Sequence, residues 1–195
     1  AIEQKTTNRS PRSTVGTITE IYDFLRLLYA KTGEAYRFKT GKKMVSYHID
    51  QIQELIEKNY IDQKIYLLAP VIKARKGHYR ELFQQILKKG FTQARIDGKF
   101  IDLSNDLMLD RYKNHDIEII IDRLDMKTLK PKSNRLRDSI ETGMHHGQNS
   151  ILICDYKGEN VKYFSKNLMC EETGISYEVP DPNSFSFNSP RGACK

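Results

Sequence analysis

Ile18, Ile21, Leu25 and Leu28 recur at helical spacing between Thr17 and Gly33. Thr17 with Glu20 three residues on has the form of a capping box and Gly33 offers a stop, so the spacing predicts one helix there. The first residues after Ala1 are polar and include Pro11, which reads as an extended loop. Glu34 to Val45 is basic, contains Gly41 and shows no periodicity, so it reads as loop or a short hairpin. Ile49, Ile52, Leu55 and Ile56 mark a second helix. Lys64 to Ile72 is a β-rich run in which Pro70 favours a strand end or an edge. Leu82, Phe83, Ile86 and Leu87 predict a helix from about His78 to Lys89, closed by Gly90.

Phe91 to Asp97 and Lys99 to Leu103 flank the turn dipeptide Asp97-Gly98, a hairpin signal. Asp116 to Leu124 is a further strand, and Pro131 and Ser133 introduce a helix carrying Leu136, Ile140 and Met144. The run Ile151 to Cys154 predicts a strand buried on both faces. Lys157-Gly158 predicts a last hairpin, running to Val161 to Phe164. From Cys170 onward, Pro180, Pro182 and Pro190 with Ser and Asn predict loop packed on something else. The resulting class is α+β: a mixed, largely antiparallel sheet with packed helices.

Charge refines this picture by position. The chain has 195 residues and a net charge of +7. Residues 1–43 hold nine basic against four acidic residues, and residues 71–95 hold seven basic against Glu81 alone. Such windows suit nucleic-acid phosphates or an acidic protein patch, so a basic module contacting DNA phosphates stands as an alternative to a protein-docking role. Cys154, Cys170 and Cys194 are few and widely spaced, which argues against a disulfide framework and for a cytoplasmic setting. Apolar runs fall short of the roughly 20 residues of a membrane span.

No catalytic constellation emerges. The chain has no Gly-rich phosphate loop followed by Lys and Ser or Thr, no G-x-S-x-G and no H-E-x-x-H. His145 and His146 are adjacent, so they do not share a helix face and do not read as a metal pair. They read instead as surface residues at a helix end, where protonated His suits the dipole. Asp97, Glu118 and Asp122 read as exposed carboxylates rather than an acid-base pair. The catalytic set and the metal set of this chain are therefore both read as none.

Four ordered blocks carry a resemblance. They are Ile2 to Lys5 with Ser10 to Ile21 and Leu25 to Ala30; Leu68 to Ile72 with Arg75 to Gly77; Asp116 to Leu124; and Ser184 to Pro190 with Gly192 to Cys194. They resemble the UvrA family of bacterial ABC excinuclease proteins across nearly the whole chain. The resemblance implies an internal part of a dimeric tandem ABC-type ATPase that scans DNA and loads the partner protein UvrB. It places residues 1–33 at the start of signature domain I, 34–165 in the inserted UvrB-binding domain, and 166–195 in the return to the signature domain. The family uses ATP and zinc. Gln4 resembles the glutamine that contacts metal and attacking water in ABC ATPases, yet no Walker A loop or LSGG-type signature is present, so no cofactor is expected here.

The sequence departs from the family at its metal knuckles. Where many members have C-x-x-C-G on each side of the insertion, this chain has Arg37-Phe38-Lys39-Thr40-Gly41 and Cys170-Glu171-Glu172-Thr173-Gly174. A four-thiolate zinc site is not expected from them, although Cys194 could belong to another knuckle completed beyond Lys195. Period-two alternation from Phe91 puts Gln93, Arg95 and Asp97 on one face with Phe91, and Ala94 and Ile96 on the other. The matching arginines of the resemblance lie at the UvrB contact, which marks Arg95 and Arg123, with Asp122, Arg75 and Lys76 as weaker candidates. Charge reversal at either arginine is expected to weaken docking and leave the fold intact.

Overall fold

The computed structural model describes residues 14–193. These fall into two compact units, one built from residues before Met44 with residues after Tyr177, the other from Met44–Tyr177.

The first unit carries helices α1 (Val15–Ile18) and α2 (Ile21–Thr32), and a short 3-10 turn at Pro182–Phe185. The predicted single helix is thus divided, and its cap lies earlier. Thr14 and Thr17 cap each other reciprocally, so Thr17 is the third helical residue rather than the cap. Glu20, in place of closing a capping box, takes a left-handed conformation that breaks the helix before α2 begins. Gly33 caps α2 as expected. Tyr22 donates its hydroxyl to the Phe185 carbonyl and meets the Phe187 ring at 5.1 Å, which ties α2 to the 3-10 turn. Tyr36 and Lys43 form an isolated antiparallel bridge around the turn at Arg37 to Lys42.

The second unit is a six-stranded sheet. Its elements are α3 (Ile49–Asn59), β1 (Lys64–Lys76), α4 (Arg80–Lys88), β2 (Gln93–Ile96), β3 (Lys99–Asp102), β4 (Asn114–Asp125), α5 (Asn134–His146), β5 (Ser150–Asp155) and β6 (Lys162–Ser165). The strand order is β3-β2-β4-β1-β5-β6, and all five pairings are antiparallel, so the expected mixed component is absent from it. A second, two-stranded sheet pairs β7 (Leu168–Met169) with β8 (Ser176–Tyr177). Pro70 lies inside β1, beyond the last residue that β5 reaches, where a missing N–H breaks no pairing on that side.

Helices cover one sheet face. Ile52, Ile56, Leu136, Ile140 and Met144 of α3 and α5 pack on Ile65, Leu67, Leu124, Ile151 and Ile153. Phe83 and Ile86 of α4 pack on Ala94, Ile96, Ile117 and Ile119. Each of the Ile, Leu, Met and Phe side chains among them, when fully buried, contributes about 1.5–3 kcal/mol. The other face gathers Leu68, Leu152 and Cys154 with Tyr66, Phe100, Ile120, Val161 and Tyr163 around them. β5 is therefore buried on both faces, as its unbroken apolar run predicts. Among the described residues no helix is long and apolar enough to cross a membrane.

Candidate protein-docking site

The face of the sheet that the helices leave open carries a cluster of rings and cations. Tyr66 of β1 stands opposite Arg123 of β4 in the register. Its ring lies 4.5 Å from that of Phe100 and 4.8 Å from that of Tyr156, the latter stacked at 26°. The Arg123 guanidinium sits 5.5 Å over the Tyr66 ring, and the Lys64 ammonium 6.0 Å from the Tyr156 ring. Arg123 is exposed, and Tyr156 is 43% exposed. Rings with exposed edges beside an accessible guanidinium are the composition that protein interfaces favour at their energetic centre.

Arg95 points to the same face of the sheet, because Ala94 and Ile96 take the core as the alternation predicts. Its environment is quite different from that of Arg123. Nη1 donates to both carboxylate oxygens of Glu118 at 3.3 Å, and Nη2 donates to the Gly158 carbonyl at 3.0 Å. The two side chains are only 12% and 6% exposed. Burial pushes the Glu118 carboxyl up to about 7, against the opposing pull of the Arg95 charge. Glu118 is therefore not the exposed carboxylate the sequence suggests. Arg95 clamps the β5–β6 turn down onto β2 and β4, so a charge reversal there would set two carboxylates together and disturb the fold. Phe91 also departs from expectation: it lies in the turn before β2 and joins the α4 core rather than the Arg95 face.

A bulge moves Asp122 away from this face. Leu67 pairs with Asp122 and Leu68 with Ile120, so one extra residue turns Asp122 toward α5. There it accepts a bidentate pair from Arg135, Nη2 at 2.9 Å and Nε at 3.1 Å, and a hydroxyl hydrogen bond from Ser139 at 2.8 Å. Burial raises its carboxyl, but these bonds outweigh it and hold the pKa below the usual range. β4 runs one residue past the expected end at Leu124, to Asp125, so Arg123 lies within the strand. Arg75 and Lys76 are exposed and pair with His115 and Asn114 at the far end of β1. The structure thus brings Arg95 and Arg123 to one face and leaves Asp122, Arg75 and Lys76 elsewhere. Gln4 and Cys194 lie outside the described residues.

Tyr66, Phe100 and Tyr156 were not singled out from the sequence. Only the strand register could have joined them, since they are far apart in the chain and ordinary for strand and turn positions. His146 also corrects its reading as a surface residue: it is half-buried against Phe91 at 4.9 Å, and burial, helped by Lys89, lowers its pKa.

The residues do not fit the zinc or the ATP that the family resemblance implies. The knuckle positions supply Arg37 and Thr40 in one turn, and Cys170 and Thr173 in the other, a single thiolate in all. Backbone bonds close both turns: Gly41 N–H to the Arg37 carbonyl at 2.8 Å, and Gly174 N–H to the Cys170 carbonyl at 2.8 Å. Gly174 has φ of 60°, and a Cβ there would come within 2.4 Å of the Tyr163 ring, so glycine is required. Among the described residues no group of three or more His, Cys, Asp or Glu is placed to hold a metal ion. No phosphate-binding loop is present for a nucleotide.

Comparison with known proteins gives concordant matches. A family model described as the UvrA interaction domain matches residues 48–157. The UvrABC system protein A of Bacillus subtilis (strain 168) is 43% identical over 194 residues, covering 100% of this chain and 20% of the relative. That of Clostridium perfringens (strain 13 / Type A) is 43% identical over 196 residues, covering 100% of this chain and 21% of the relative. That of Clostridium tetani (strain Massachusetts / E88) is 44% identical over 199 residues, with 100% and 20% covered. The chain spans about a fifth of the length of these curated relatives.

Proposed function

The chain belongs to the UvrA family and carries its interaction domain, and from that premise we propose that it docks UvrB through the open sheet face around Tyr66. The supporting observation is the exposed Arg123 guanidinium laid over the Tyr66–Phe100–Tyr156 stack. Stacking fixes the planar fork in place, so less side-chain entropy is lost when it pairs with a carboxylate of the partner. The ring edges supply the apolar contact that a charged pair alone lacks. Arg95 contributes by holding the β5–β6 turn, and with it Tyr156, in position.

In this reading the chain is the partner-binding part of a damage-recognition ATPase in nucleotide excision repair, and has no catalytic activity of its own. Residues 34–165 form the docking domain, while 1–33 and 166–195 belong to the first signature domain. The whole protein is a cytoplasmic homodimer that contacts DNA and uses ATP and zinc.

Calorimetric titration of UvrB into the chain tests the docking surface. Arg123→Glu and Tyr156→Ala are each expected to cost about 2 kcal/mol or more, roughly a thirtyfold loss of affinity. Both side chains are exposed, so the melting temperature should stay within about 2 °C of the parent. A merely local surface contact at Arg123 would contribute about 0–1 kcal/mol, so parent-like binding by both variants would remove the site from this face. Failure of the unsubstituted chain to bind UvrB would remove the functional reading.

A further inference from the structure

At the end of the sheet where β1 leaves for α4, five cations gather, three of them without an acidic partner among the described residues. Arg75, Lys76, Arg80, Arg111 and Lys113 are all exposed, and His78 is exposed beside them. Lys76, His78 and Arg111 line one open cavity of about 550 Å³, whose single carboxylate is Glu81. Two of the outer cations are engaged, Arg80 with Asp106 at 3.3 Å and Lys113 with Asp110 at 3.5 Å. Arg75, Lys76 and Arg111 have no acidic partner within ion-pair distance among the described residues.

The backbone beneath these cations is held firmly. The Tyr79 hydroxyl donates to the Arg75 carbonyl at 2.8 Å, and the Leu109 N–H donates to the His78 carbonyl at 3.0 Å. Lys76 sits opposite Asn114, beside Lys113. The cations are therefore set on the strand pair and the loop against it, not on a mobile tail.

We propose that this end of the domain is a second contact surface, for the sugar–phosphate backbone of a nucleic acid, separate from the docking face. The two surfaces differ in the chemistry they offer. The docking face presents rings around one arginine, whereas the cavity here has Leu82 and the Tyr79 ring as its only substantial apolar lining. Protein interfaces need an apolar centre, while nucleic-acid interfaces are polar and strongly positive. Tyr112, 73% exposed with the Arg111 guanidinium 5.2 Å from its ring, adds a planar surface at the rim that can lie against a sugar or an unstacked base. A protein held at Tyr66 would thus leave this end free to touch DNA at the same time.

The test is fluorescence anisotropy of a short labelled duplex of random sequence, titrated with the 195-residue chain across a salt series. Binding is expected, with log K falling by about 0.9 per log unit of salt for each phosphate neutralised. Substituting Arg75→Gln, Lys76→Gln and Arg111→Gln together should lower the salt slope by about three and weaken binding about tenfold or more at low salt. The same triple variant should melt like the parent and bind UvrB with unchanged affinity, whereas Arg123→Glu should bind the duplex within about twofold of the parent. No binding by the parent at low salt would overturn the proposal. So would a triple variant that binds like the parent, or an Arg123→Glu variant as impaired as the triple one. Displacement of the duplex by poly-glutamate as readily as by unlabelled duplex would also overturn it, since the surface would then read acidic protein rather than phosphate backbone.

Discussion

Glu118 is the residue where burial and charge pull hardest against each other. It is 5% exposed, its partner is Arg95, and burial still pushes its pKa up from 4.5 to about 7. Between those two values the folded chain holds a proton that the unfolded chain has released. Stability therefore falls as pH rises through the window and levels off above about 7. The full excursion is of order 3 kcal/mol for this one group. Glu118→Gln keeps an oxygen acceptor for Arg95 but cannot ionise. In urea denaturation it is expected to match the parent near pH 5 and exceed it near pH 8 by about 2–3 kcal/mol. A variant equally destabilised at both pH values would mean that the ionised pair, and not the neutral acid, fits this site.

At the scale of elements, α5 lies so close to the sheet that one position has no room for a side chain. A Cβ on Gly143 would come within 2.7 Å of Ile151 Cγ2 and 2.9 Å of Leu67 Cδ2. In an exposed helix, replacing glycine by alanine stabilises by about 0.8–1 kcal/mol. Here overpacking opposes that gain, so Gly143→Ala is expected to destabilise by about 1–3 kcal/mol, read from the urea midpoint. A rise in midpoint would show that α5 is free to shift outward. This contact also marks the limit of what the sequence makes legible. Element types follow from periodicity: the apolar run of β5, the Asp97-Gly98 hairpin and the amphipathic α3, α4 and α5 all stand where spacing puts them. Register does not, because hydrogen-bond pairing between distant strands leaves no local trace. The bulge at Ile121 reverses Asp122, and only the β1–β4 pairing sets Arg123 over Tyr66. Resemblance marks Arg95 and Arg123 as candidates, while the rings that lie near them on the same sheet face needed the fold. The division of the first helix at Glu20 was hidden because Thr14 and Thr17 outcompete the Thr17 and Glu20 box that the spacing suggests.

At the scale of the whole molecule the two units differ in how they bury apolar surface. The unit Met44–Tyr177 contains the six-stranded sheet and all three of its buried clusters. In the other unit, neither α1 nor α2 buries a single residue. Ile21, Phe24, Leu25, Leu27 and Leu28 of α2 are 56%, 72%, 42%, 49% and 54% exposed. Folding free energy comes mainly from apolar area withdrawn from water, so it resides in the sheet unit. A chain cut to residues 44–177 is therefore expected to unfold in one cooperative step, with a urea slope of about 1–3 kcal/mol per molar. Both proposed contact surfaces lie inside that unit, so UvrB and duplex affinities should each stay within about twofold of the 195-residue chain. The longer chain, carrying the apolar stripe of α2, should self-associate more as its concentration rises, which light scattering reads directly. If the shortened chain melts without a cooperative transition, the first unit supplies packing that the sheet needs. If it folds but loses UvrB, docking extends onto residues outside 44–177. Equal self-association of the two chains would place the sticky surface on the sheet unit, and Tyr66, Phe100 and Tyr156 would be the first residues to substitute.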